Sequence, residues 1–226
     1  MKNAITKMIL TSAAAAVFVT ASPAFVPPVQ AAAAAFTPLY QGMTSDAVSQ
    51  LQRDLKTLGY FTYPTITGYY GTVTADAVRA FQTAYSLPVT GSVDATTRAR
   101  IDFALVRRSI VTDSYQYIRV PYLWGGATPA GFDCSGFVYY MFTTHGVPMT
   151  RTTSATMATM GTPVDKAKLV PGDLVFFTLG TPGIVSHVGI YVGNGEFISA
   201  LSSVGVYVQK LDNTYWGPKY LGARRF

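Results

Sequence analysis

The chain has 226 residues, 17 Lys and Arg against 11 Asp and Glu, two His, one Cys and a hydrophobic share of 49%. That length allows one domain or two small ones, and a single cysteine excludes an intramolecular disulfide framework. The basic residues are dispersed, with only short pairs such as Arg107-Arg108 and Arg224-Arg225 and no basic helix, which argues against a nucleic-acid partner and leaves a polyanionic surface as the one the charge suits.

The first 35 residues read as targeting information. Lys2 and Lys7 form a positive head, Met8 to Val19 is almost wholly apolar, and "PPVQAAAAA" offers small residues at cleavage spacing. The apolar run is about a dozen residues, short of the ~20 that a spanning helix needs. A secretory signal over residues 1–31 and export are therefore expected. No later stretch is apolar enough for a stable membrane anchor, and without Lys2 and Lys7 the 15 remaining basic side chains leave a net charge of +4. A bacterial cell wall is one anionic surface that an exported protein meets.

Residues 36–102 carry helical periodicity. Val48, Leu51, Leu55 and Leu58 recur at intervals of three and four before Gly59, with Thr44 or Ser45 as the cap. Ala77, Val78, Phe81 and Tyr85 share a second face that Leu87-Pro88 closes, and Asp94 caps a third, shorter helix containing Ile101 and Leu105. The words "VSQLQRDLKTLGYF", "GYYGTVTADAVRAFQ" and "LPVTGSVDATT" resemble the peptidoglycan-binding repeat family of cell-wall hydrolases. That resemblance implies a three-helix domain that holds peptidoglycan without cutting it. Exposed groups near "TGYYG", where Tyr69 and Tyr70 are not both easily buried, are the expected contact. The stretch 103–116, poor in Pro and Gly, reads as the first helix of a following domain.

Cys134 stands in "GFDCSGFVYYMF", where Cys134, Phe137, Val138, Met141 and Phe142 fall on one helical face and Gly146 ends it. Asp133 is typed as the N-cap, which puts Cys134 in the first turn, where the helix dipole is expected to lower the thiol pKa and favour a nucleophilic thiolate. A lone cysteine is more often a small buried hydrophobe than a nucleophile; the helix-start position, the polar flanks and a downstream histidine shift the reading to the nucleophile. His145 ends the same helix, more than about 15 Å along it from the thiol. His187 begins the alternating stretch "HVGIYV", a strand followed by a "GNG" turn and the return "EFISA". It is the candidate partner.

The words "VPYLWGG", "GFDCSGFVYYMF", "RTTSATM", "PGDLVFF", "SHVGIYVGNGEFISA" and "YLGARRF" resemble the NlpC-type papain-like cell-wall endopeptidases over 109–226. The resemblance implies an α+β fold with the helix-borne cysteine packed on an antiparallel sheet. It places the catalytic cysteine on Cys134, the histidine on His187 and an active-site tyrosine on Tyr122, with Asp133, Ser135 and Arg151 lining substrate subsites. The polar residue that orients the imidazole in that family is usually histidine; here the matching position is Ser199. A three-residue turn at 193–195 puts Ser199 opposite Gly189 on the face of His187, whereas a two-residue turn at Asn194-Gly195 brings Ser202 there instead. The implied activity is hydrolysis of peptidoglycan stem peptides at the γ-D-glutamyl–diamino acid bond, with no metal or organic cofactor. A wall-binding protein with a degenerate catalytic domain, and an amidase or acyltransferase on the same scaffold, are the alternative readings.

Overall fold

A computed structural model describes residues 36–226, so the signal expected over 1–31 lies outside the described residues. Helix α1 (Asp46–Thr57) buries Val48, Leu51 and Leu55, and Ser45, not Thr44, is the cap that accepts from the Val48 N–H. Helix α2 (Thr72–Ala84) buries Ala77, Val78 and Phe81 against the same core.

Two buried glutamines hold the turns that follow these helices. Gln52 accepts from the Thr67 and Gly68 N–H groups, both at 3.0 Å, and donates to the Tyr69 carbonyl and the Thr74 hydroxyl, both at 2.9 Å. Gln82 repeats the arrangement one helix later, accepting from Thr90 and Gly91 and donating to the Ser92 carbonyl and the Thr97 hydroxyl. "TGYYGTVT" (67–74) and "TGSVDATT" (90–97) are thus one turn-and-helix-start unit used twice. Gly68 and Gly91 hold the matching left-handed position, at φ 70° and 72°. Tyr70 is buried with its hydroxyl donating to the Gly91 carbonyl, while Tyr69 is 51% exposed.

Helix α3 (Ala95–Ser114) differs from the expectation of a short third helix followed by a separate one. It runs 20 residues without interruption, its first half burying Ile101 and Ala104 in the helical core and its second half burying Ile110 in the core of the sheet. No Gly or Pro stands anywhere in 95–114 to break it.

The remaining elements are α+β. A short β1 (Ala127–Thr128) and β2 (Gly131–Phe132) lead into α4 (Cys134–Thr144), followed by α5 (Ser154–Met157). The main sheet holds β3 (Thr162–Val164), β4 (Leu174–Phe177), β5 (His187–Gly193), β6 (Glu196–Leu201), β7 (Gly205–Lys210) and β8 (Tyr220–Arg225). Its order is β3-β8-β4-β5-β6-β7, antiparallel throughout. Phe137, Val138, Met141 and Phe142 of α4 pack on Leu174, Phe176, Val188 and Ile190; Val175 and Phe177, on the opposite face of β4, pack with Phe197 and Trp216. Both faces of the central strands are therefore dry. Among the described residues no helix is long and apolar enough to cross a membrane.

The β5–β6 hairpin satisfies both register alternatives at once. Gly193 pairs with Glu196 across the two-residue turn Asn194-Gly195, whose φ values of 53° and 72° are those of a primed hairpin turn. A bulge then absorbs Val192, and Tyr191 pairs with Phe197 and Ile190 with Ile198. The bulge restores the register that puts Ser199 on the face of His187.

Candidate active site

Asp133 anchors the start of α4. One carboxylate oxygen accepts from the Gly136 N–H at 2.6 Å and the Ser135 hydroxyl at 3.0 Å; the other accepts from the Gly125 N–H at 3.0 Å and Arg151 Nη2 at 2.6 Å. Arg151 also donates to the Ser135 hydroxyl at 2.7 Å. The three residues assigned to substrate subsites thus form one hydrogen-bonded cluster, with the guanidinium at the cleft. The loop carrying Tyr122 is pressed onto this helix start. A Cβ on Gly136 would lie 1.9 Å from the Gly126 carbonyl oxygen, so only glycine lets the two backbones meet.

His187 opens β5, buried, with Trp216 stacked on it at a centroid distance of 5.2 Å. Its Nε2 lies 3.0 Å from the Ser199 hydroxyl. With Nε2 turned to Ser199, Nδ1 is left on the other side of the ring. Ser199 is fully buried behind the imidazole and is absent from the cleft lining, so it meets the cleft only by way of His187.

Cys134, half-buried, and His187 line one cleft of about 900 Å³ together with Tyr122, Asp133, Ser135 and Arg151. The sulfur lies close enough to β5 for the backbone N–H of Val188 to favour its anion. That pull is outweighed. Burial pushes the Cys134 thiol up, and the Asp133 carboxylate adds to the rise, against the helix-start N–H groups of Cys134 and Ser135. The expectation of a lowered thiol pKa is therefore corrected: the dipole effect is present but smaller than the loss of water. Burial also pushes His187 down to about 4, and it raises the Tyr122 phenol, with the neighbouring Cys134 and Asp133 contributing. At neutral pH, burial favours an uncharged imidazole and a protonated phenol.

His145 lies away from this cleft, at the C-cap of α4 with Nδ1 2.8 Å from the Met141 carbonyl oxygen. Sequence reasoning missed Trp216 and the rim residues Trp124, Leu179, Asn213 and Tyr215. Trp124, 87% exposed in "VPYLWGG", was legible as an outlying aromatic. Trp216 is 29 residues from His187 and no local spacing connects them.

Residues 119–225 match the NlpC/P60 family and residues 44–101 a peptidoglycan binding domain family. The probable endopeptidase NlpC of Escherichia coli is 46% identical over 106 residues, covering 46% of this chain and 68% of that protein. This chain belongs to the NlpC/P60 family. The gamma-DL-glutamyl hydrolase of Bacillus subtilis is 40% identical over 131 residues, covering 57% of this chain and 32% of that protein. A crystal structure of an NlpC/P60 family protein from Bacillus cereus superposes with a TM-score of 0.50 at 32% identity, over 53% of this chain and 40% of that one. The chain spans about a third of the length of the longer curated relatives from Bacillus subtilis that it matches.

Proposed function

We propose that this NlpC/P60 chain is an exported cysteine endopeptidase that hydrolyses peptidoglycan stem peptides between γ-D-glutamate and a diamino acid. The observation that carries the reading is the meeting, at one cleft, of a helix-start thiol, a strand-start imidazole and a hydroxyl behind that imidazole. Cys134 Sγ attacks the amide carbonyl as its proton passes to His187 Nδ1. Burial opposes either ion alone, so the thiolate forms only together with the imidazolium. The imidazolium gives its proton to the leaving amine, and His187 then activates the water that frees the acyl group. The Cys134 N–H and the Tyr122 hydroxyl are the donors for the oxyanion. Arg151, steadied by Asp133 and Ser135, offers the cleft a fixed cation suited to the α-carboxylate that a γ-linked glutamate leaves free. The activity named for the Bacillus subtilis relative supports the choice of bond.

Residues 36–102 serve as the wall-binding domain and 109–226 as the cutting domain, so that binding raises the local concentration of substrate. Export through residues 1–31 brings both to the wall. The reading is tested by alkylating the folded full chain and following the mass of Cys134. Stem-peptide fragments are expected to slow labelling in proportion to occupancy. Labelling at an unchanged rate under saturating fragment would overturn the assignment of this cleft.

A further inference from the structure

Arg107, in the middle of α3, is fully buried, and none of its three guanidinium nitrogens has a hydrogen-bond partner. Its nearest acid is Asp173, 3.7 Å from Nη1. That carboxylate is already clamped by Arg225, whose Nε and Nη2 each lie 2.8 Å from it. Two buried cations therefore share one anion. Burial brings Arg107 down only to about 10, so it stays charged at neutral pH. A positive excess withdrawn from water is unfavourable unless an anion comes to meet it.

Arg225 also lines a pocket of about 160 Å³ at the seam between the end of α2, α3 and the 162–168 stretch of the sheet domain. This pocket shares no residue with the catalytic cleft. Tyr85, Ser86 and Arg100 enter it from the helical side and Lys168 from the other; Asp165, 3.7 Å from Lys168, is the only acid in its lining. Among the described residues, no hydrogen bond uses the Tyr85 hydroxyl, the Ser86 hydroxyl or the Arg100 guanidinium. Idle donors on Tyr85, Ser86 and Arg100 thus share a small space with Lys168 and with Arg225, whose Nε and Nη2 are taken by Asp173 and the Lys168 carbonyl and whose Nη1 reaches the Ala84 carbonyl at 3.4 Å.

We propose that this pocket binds a phosphate-sized oxyanion, a phosphoryl group held by Arg100 and Lys168 with the Tyr85 and Ser86 hydroxyls, beside the positive charge of Arg225. Donors arriving from both sides of the seam suit a tetrahedral ion better than a planar carboxylate. The bound ion touches residues of the helical part and of the sheet part, and so binds the two together. Free phosphate and a phosphodiester polymer present the same chemistry.

The test is thermal unfolding of the full chain in sodium phosphate and in sodium chloride at matched pH and ionic strength. Phosphate is expected to raise Tm by about 5 °C or more at a hundredfold excess over its Kd, and chloride to leave it in place. The double variant Arg100→Ala, Lys168→Ala is expected to keep the chloride Tm and the rate on soluble substrate while losing the phosphate response. Should the double variant fold poorly, Arg107→Met removes the buried charge at similar volume and is expected to shrink the same response. Equal Tm in the two salts, or a phosphate response intact in both variants, would overturn the site. In a second arm, polyglycerol phosphate that competes with inorganic phosphate identifies the polymer as the source. Binding of inorganic phosphate without such competition identifies the free ion.

Discussion

Ser199 stands where the family resemblance leads one to look for a second imidazole, and the consequences can be sized. Its hydroxyl lies 3.0 Å from His187 Nε2, fully buried, while Trp216 stacks on the ring. Orientation of the imidazole is therefore shared between one neutral hydrogen bond and a stacked indole. A single neutral hydrogen bond contributes about 1 kcal/mol, so Ser199→Ala is expected to lower kcat by about 5- to 10-fold with KM unchanged, measured on a soluble stem peptide. A loss of a thousandfold would mean that Ser199 does more than steady the ring. The same burial has a stability signature. Unfolded, His187 takes up a proton near pH 6.5; folded, it does so only near pH 4. Between those values the unfolded state binds more protons, so this contribution is complete above pH 6.5 and is lost as pH falls toward 4, by on the order of 3 kcal/mol. Urea unfolding of His187→Gln should show a shallower slope across that window. A slope equal to that of the parent chain would contradict the buried, neutral imidazole.

At the scale of elements, the start of α4 is where backbone packing and chemistry coincide. Asp133 ties the helix N-terminus, the 121–126 loop and Arg151 into one cluster, and that cluster requires Gly136 to touch Gly126. Backbone stands on both sides of the contact, so an added methyl cannot be accommodated by a side chain swinging away. Gly136→Ala is expected to destabilise the fold by about 2–4 kcal/mol and to abolish activity, whereas Gly180→Ala, where a Cβ meets nothing within 4 Å, should leave both nearly unchanged. Calorimetry and turnover on the two variants check this. Parent-like stability in Gly136→Ala would show that the loop does not rest on the helix. The β5–β6 bulge has the same character: one extra residue, Val192, decides whether Ser199 faces His187 or the other side of the sheet.

Taken as a whole molecule, the chain was most legible where a pattern is local. Leu51 and Leu55, Phe137 and Met141, and the alternation after His187 are short-range periodicities, and each produced the element it announces. Asp133 was readable as a cap because the residue types that accept from a helix N-terminus are few. What could not be read depends on distant contacts. The thiol shift reversed because its depth in the fold is set by packing and not by its place in the helix. Helix α3 joined two expected helices because its halves serve two cores. Trp216 on His187 and Arg225 on Asp173 are separated by 29 and 52 positions. The proposed activity is the cutting of one bond by Cys134, and muropeptide mass analysis tests it most directly. Wall digested with the full chain should yield fragments newly cut between γ-D-glutamate and the diamino acid, and digestion with Cys134→Ala should yield none. Fragments cut at the amide that joins peptide to sugar, or the same products from Cys134→Ala, would contradict it.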